Sequence, residues 1–433
     1  MYLRQGLPLV SRTRYGSLGC LKELLIPGKK KEGENTMITI NTPLAYLAVL
    51  MFVAGGLLVL QRTTKWKIFD IVPPLVWIYV LHMIICTLGI YETDAVKATY
   101  SSFKNNLLYA MIFVMLLRCD FRKLGKLGPR MIAIFLGCSL TLALGTILAY
   151  PIFMNSMGGA EKTWAAVAAL YASWVGGSGN MAAMEAAFNI DPGAYGAALA
   201  LDTVCYSVWI ALLLLAVKFA PKWNAICKAD TSKLDAIADA ANAELAKDKK
   251  NATAADWIFL IGISLVVSAV TQWAGKVVNG WLCNIGLDMF GAATVTTVLV
   301  TILGLIGAIT PLGKMAAVEE MSSVYLYAVV SLLASRASLI DLVAAPMWVV
   351  YGFVILLVHV VLMFLLSKLF KWDLCMVSTA SLANIGGSAS APIVATAYNP
   401  NFAGIGVLMG VLGAAIGNFC GLGMGAVLQL FVK

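Results

Sequence analysis

The sequence predicts an all-α polytopic membrane protein: two inverted repeats, about ten transmembrane helices and two re-entrant GG-containing helical hairpins. Three observations lead there. The chain is 61% hydrophobic and 12% charged, with a mean hydropathy of +0.86, whereas a soluble domain carries about 25% charged residues. Long apolar runs recur from residue 43 to the end, and roughly 20 helical residues span the hydrocarbon. One stretch also occurs twice, 210 residues apart, as Val175-Gly176-Gly177-Ser178-Gly179-Asn180 and Ile385-Gly386-Gly387-Ser388-Ala389-Ser390.

The elements follow in order. Residues 1–42 form a basic tail with seven Lys and Arg before Met37. It lacks the apolar core of a cleaved signal. It reads as a disordered tail, or as a gene-model extension with Met37 as the start. Membrane repeat 1 occupies 43–218, with apolar helices at 43–60, 71–91, 105–117, 131–154 and 194–217. A cytoplasmic linker, 219–255, is rich in Ala, Lys and Asp and reads as a solvated helix-prone segment. Membrane repeat 2 occupies 256–433, with helices at 257–275, 288–309, 321–335, 346–367 and 402–431. The glycine-bearing segments, 163–187 and 374–398, precede the last helix of each set.

Charge decides how those segments run. If both are hairpins and the loop 61–70 is inside, eighteen Lys and Arg fall on inner loops and six on outer ones. If both cross fully, the balance becomes ten inside to fourteen outside. The positive-inside rule prefers hairpins. Each half then makes five crossings, so the halves are inverted and their hairpins enter from opposite sides. An arm of about 11 residues rises roughly 16 Å, which places both glycine tips near the midplane of a roughly 30 Å core.

Backbone freed from a helix at that depth is tolerated only when buried in protein or lining a polar cavity. Paired interruptions in two halves therefore mark a transporter's binding site. Candidate substrate ligands are Gly176, Gly177, Ser178, Gly179 and Asn180 at one tip, with Asn384, Gly386, Gly387, Ser388 and Ser390 at the other. Helix N-termini there suit an anionic group, and free carbonyls suit a cation. Small residues that merely allow close helix packing are the competing reading. Asp202 lies about eight residues into an apolar helix, and its repeat mate is Leu412. An intramembrane carboxylate defaults to function. With Thr203, Ser207 and Glu185 it forms the candidate ion-coupling set. Thr379, Asn418 and the hydroxyls of Thr294, Thr296, Thr297 and Thr301 are further polar candidates, and His82 and His359 read as packed histidines, with a proton relay as the alternative. No Arg lies at a tip in the sequence, so no carboxylate clamp is legible.

The first signature, continuing through Met181-Ala182-Ala183 to Ala200-Leu201-Asp202, resembles that of the YjcL-like bacterial membrane proteins (domain of unknown function 819). So does the second, Leu382-Ala383-Asn384-Ile385-Gly386-Gly387 with Gly410-Val411-Leu412-Gly413. The likeness covers roughly 40–432, and Ala389 departs from it where the first copy has Gly179. More distantly, the paired hairpins are similar to those of sodium–glutamate and sodium–citrate symporters. That resemblance implies a transport domain moving against a scaffold, an elevator.

The expected function is secondary active transport of a small polar or anionic solute, such as an amino or organic acid, coupled to Na⁺ or H⁺. A passive channel and a non-transporting assembly or signalling protein are the alternatives. No enzyme motif appears: the Gly-Gly-Ser-Gly lacks the Lys of a phosphate loop, and there is no HExxH. Nine cysteines without a CxxC pair give neither a metal site nor a disulfide framework. No cofactor is expected beyond the coupling ion. The expected partners are the solute and the lipid bilayer, with nucleic acid excluded and a homo-oligomer left open. The expected location is the bacterial cytoplasmic membrane, multi-pass.

Overall fold

A computed structural model describes residues 39–432, apart from 65, 73, 246–251, 286–290 and 339–344. Met37, nearly all of the basic tail and the linker's Lys247, Lys249 and Lys250 lie outside the described residues. Fifteen helices of eleven residues or more make up the frame. The first seven are α1 (Pro43–Thr64), α2 (Pro74–Thr87), α3 (Asp94–Leu116), α4 (Gly128–Phe153), α5 (Ala160–Gly176), α6 (Ser178–Phe188) and α7 (Pro192–Ala216). A linker helix follows, α8 (Leu234–Leu245). The rest are α9 (Ala254–Asn284), α10 (Ala292–Ala308), α11 (Val318–Ala334), α12 (Ala345–Phe370), α13 (Leu374–Ile385), α14 (Gly387–Tyr398) and α15 (Ala403–Leu428). On either side of α8 the same order recurs: three helices, a long helix, a pair broken at glycine, and a long closing helix.

Both broken pairs fold back on themselves. The break falls at Gly177 (φ 99°) and at Gly387 (φ 71°), positions 210 residues apart. This backbone region is costly for any residue with a Cβ. Trp164, near the start of α5, lies 5.0 Å ring to ring from Phe188 at the end of α6. A straight helix would part them by roughly 36 Å. In the second pair the hydroxyls of Ser378 and Tyr398 are 3.1 Å apart.

The hairpins lie along α15 from opposite ends. Its glycines record the contacts. Gly406 packs on Ala391 and Pro392, and Gly410 on Ser388, the second hairpin's tip. Gly413 packs on Val175 and Gly417 on Gly176 and Asn180, at the first tip. Gly421 and Gly425 then meet Ala172, Met184 and Phe188, further down the first hairpin. The tips face each other across three residues of α15, about 4.5 Å of rise.

Packing divides the helices into two groups. The last elements of each half, α4–α7 and α12–α15, pack chiefly on one another; so do the first three of each half, α1–α3 and α9–α11. The seam between the groups runs past both tips.

Two features differ from the sequence reading. Among the described residues, six helices are long and apolar enough to cross a membrane by length and composition, beside three shorter apolar helices. α2 has only 14 residues, and the polar first half of α3, from Asp94 to Asn106, starts well before the predicted residue 105 because Thr93 caps it, its hydroxyl accepting from the Val96 N–H. The linker is also less solvated than predicted. Leu234, Ala238 and Ala241 of α8 are buried, and Asn242 binds the start of α15, accepting from the Gly404 N–H and donating to the Asn401 carbonyl.

At Gly413 a Cβ would run into the Val175 carbonyl oxygen, whereas Gly423 on the same helix has open space. Gly413→Ala should therefore lose about 1–3 kcal/mol, the usual cost of overpacking. Gly423→Ala should be neutral or gain up to about 1 kcal/mol. Thermal unfolding of the two variants in detergent checks this.

Candidate functional site

Glycine at the two breaks lets four helix ends converge: the C-termini of α5 and α13, and the N-termini of α6 and α14. Helix C-termini present partial negative charge and N-termini partial positive charge. A cavity of about 180 Å³ opens there. Gly177 and Ser178 line it from the first tip, and Ile385, Gly386 and Ser390 from the second. Asp202, Thr203 and Tyr206 line it from α7, and Leu75 and Val76 from α2. The wall on the α2 side belongs to the other helix group, so the cavity sits in the seam.

α7 joins the tips one helical turn apart. Asp202 Oδ1 accepts from Trp174 Nε1 at 2.8 Å, and its Oδ2 accepts from Ser173 Oγ at 2.9 Å, both on the first hairpin. The Tyr206 hydroxyl is 2.9 Å from Ser390 Oγ on the second. Asp202 is thus a buried acceptor held in place by two donors, at the edge of the cavity. Ser173, Trp174 and Tyr206 are absent from the sequence-derived set. Ser173 and Trp174 lie just before Val175 and the glycines, a proximity that could have marked them; Tyr206 gave no signal beyond lying one turn after Asp202.

The remaining candidates scatter. Asn180 is fully buried against α15, where its Nδ2 donates to the Ala414 carbonyl and to Asn418 Oδ1. Asn418 in turn donates to Thr301 on α10. This chain ties the first tip to the other helix group and contributes nothing to the cavity wall. Asn384 is also turned away: it accepts from Ser139 on α4 at 2.6 Å and donates to Ala380. Gly176 and Gly179 are packing glycines, the first against α15 and the second under Met115. That contact explains the Gly179–Ala389 difference, since Ala389 is exposed. Thr203 and Ser207 donate to carbonyls one turn back on their own helix.

Glu185 does not join Asp202. Its Oε1 accepts from Lys104 Nζ at 2.9 Å and its Oε2 from the Ile190 N–H at 2.6 Å, and it lines a separate cavity. An Arg does reach a tip, contrary to the sequence reading. Arg118, just beyond α3, donates to Ser388 Oγ at 3.1 Å and lies 3.9 Å from Glu319. The contact joins residues 270 apart, which no local pattern announces. His359 is packed between Thr141 and Ser381 at 2.7 and 2.8 Å, and His82 against Tyr91 at 2.9 Å. Among the described residues no group of His, Cys, Asp and Glu could hold a metal ion.

A family model described as "Protein of unknown function (DUF819)" matches residues 48–431. The chain belongs to the DUF819 family. The match contains every residue of the cavity wall and both hairpins. The chain is also similar to "Uncharacterized membrane protein YjcL" of Bacillus subtilis (strain 168), 26% identical over 356 residues, which cover 79% of this chain and 86% of that protein. With its apolar helices, this DUF819 chain is a membrane protein.

In this DUF819 protein the Lys104–Glu185 pair bridges α3 and the first hairpin, with side chains only 11% and 4% exposed. Removing one partner strands a buried charge. Lys104→Met should cost about 3–5 kcal/mol. Adding Glu185→Gln should restore most of it, since the amide oxygen still accepts from Ile190. Chemical or thermal unfolding of the two variants measures the difference.

Proposed function

We propose that the protein is a secondary active transporter of a small polar or anionic solute, an amino or organic acid by size and dipole, coupled to Na⁺ or H⁺. One observation carries this reading: both hairpin tips and Asp202 open into a single small cavity in the seam between two helix groups. A structural protein gains nothing from placing two interrupted helices and a buried carboxylate around a cavity, because each costs stability in lipid. A carrier needs that arrangement.

The solute would sit between the helix ends, its anionic part toward the N-termini of α6 and α14. Asp202 would take the coupling ion. As a proton carrier it would be neutral with one donor of its own; as a cation ligand it would stay charged beside Ser173 Oγ. Ten of the twelve residues lining the cavity belong to α4–α7 and α12–α15. We therefore assign that group as the moving body and α1–α3 with α9–α11 as the scaffold, an elevator. Hairpins lying along α15 from opposite ends support inverted repeats, with re-entrant segments entering from the two faces of a bacterial cytoplasmic membrane. Tyr79 favours a carrier over an open channel. Its hydroxyl donates to the Pro192 carbonyl at 2.8 Å and its ring stacks on Tyr195, which closes the seam between α2 and the start of α7.

Thermal unfolding of the purified protein in Na⁺ or K⁺, across pH, with a panel of amino and organic acids tests this. A ligand at a hundred times its Kd should stabilise by about 2.7 kcal/mol. In Asp202→Asn the ion dependence should vanish while the fold persists. In proteoliposomes, solute flux that ignores both Na⁺ and pH gradients would sink the coupled carrier and leave a facilitator.

A further inference from the structure

At the open end of the first hairpin lies a second cavity, of about 500 Å³. The hairpin and the start of α7 bring Glu161, Lys162, Glu185 and Asp191 to its wall; Lys104 comes from α3, and Arg336 from just beyond α11. Three of these are basic and three acidic, so the lining is neutral as a whole. Its charges are unequally satisfied. Lys104 donates to Glu185 and to Asn189, at 2.9 and 2.8 Å, and the Ile190 N–H occupies the other Glu185 oxygen. That pair has little left to offer a ligand. Arg336 does: its Nη1 is buried with no hydrogen-bond partner among the described residues. A buried guanidinium N–H without an acceptor is costly, and its fork matches a carboxylate. At the rim, Glu161 and Asp191 are exposed carboxylates. Only one Asp191 oxygen is committed, to the Ala194 N–H that caps α7.

We propose that this cavity binds a small zwitterionic solute, with its carboxylate on the Arg336 guanidinium that lines the wall and its ammonium facing Glu161 and Asp191. A lone anion would satisfy Arg336 and Lys162 but leave the Glu161 and Asp191 carboxylates without a counter-charge. A lone cation would leave Arg336 without an acceptor. A neutral lining with separated charges selects a ligand that carries both signs, by the same complementarity that orients charged partners elsewhere. The contact of Tyr79 with Pro192 and Tyr195 stands between this cavity and the central one. Occupancy here does not require the central site, so the proposal stands apart from the transport reading.

The test is binding to the purified full-length protein, followed by titration calorimetry and thermal unfolding. The probes are the neutral amino acids, with acetate and ethylammonium as single-charge controls. At least one neutral amino acid should bind wild type and Asp202→Asn alike. Arg336→Gln should weaken it by about ten- to a hundredfold, the loss of one charged hydrogen bond. Glu161→Gln, on the exposed rim, leaves the fold intact and should also weaken it while leaving acetate unaffected. Acetate binding as tightly as the amino acid would overturn the zwitterion assignment. Binding that survives Arg336→Gln but is lost in Asp202→Asn would place the ligand in the central cavity instead. No binding by any neutral amino acid would overturn the site itself.

Discussion

Two hairpin tips reach the same stretch of α15 because glycine stands where the backbones come closest. Along that helix Gly406, Gly410, Gly413, Gly417, Gly421 and Gly425 each face a neighbour that a Cβ would strike. Small residues let helix backbones approach closely where lipid offers no hydrophobic drive to hold them together. The consequence reaches beyond packing. If α15 carried side chains at these positions, the hairpins would be pushed outward and their tips would part. The cavity between them would lose its walls, and Asp202 would lose Ser173 and Trp174, since both donors belong to the first hairpin. The glycine face of α15 is therefore upstream of the site's chemistry, although none of its residues lines the cavity.

The second constraint is the balance of charge and hydrogen bonding inside so apolar a chain. Where the interior is polar, it is paired across elements. Asn384 meets Ser139, His359 lies between Thr141 and Ser381, and Asn180 reaches Asn418 and then Thr301. Most of these bonds stay inside one helix group. The Asn418–Thr301 bond, the Lys104–Glu185 pair and the Arg118–Ser388 contact cross between groups. The crossing contacts hold the two groups in the arrangement seen here, whereas the others hold each group together.

The sequence made the architecture legible and the site only partly so. Hydropathy and the 210-residue repeat located the helix order, both hairpins and their glycine breaks. These signals are local in sequence: a Gly pair inside an apolar run, and a Lys or Arg excess in alternate loops. The polar candidates were harder. Ser390 and Asp202 line the cavity, while Asn180 and Asn384 face away, yet all four look alike as polar residues in apolar runs. Which way each points depends on its angle around a helix and on partners that lie 28 residues away for Asp202 and 184 or more for the others. The Asn180–Asn418 bond spans 238 residues and the Asn384–Ser139 bond 245. Arg118 was hidden for the same reason, and its place in a basic loop offered a sufficient explanation in topology alone.

The repeat also shows where symmetry ends. Gly177 and Gly387 are equivalent and share the positive φ that makes the turn. Asp202 and Leu412 are equivalent too, and they differ in kind. α7 carries the acid to one side of the tips, while α15 carries a buried leucine and a glycine face to the other. Of these two helices, α15 supplies the packing surface and α7 the carboxylate. That division lets a single carboxylate touch the first tip and, through Tyr206 one turn on, the second. The two tips are therefore joined through one turn of α7, the turn that carries the acid.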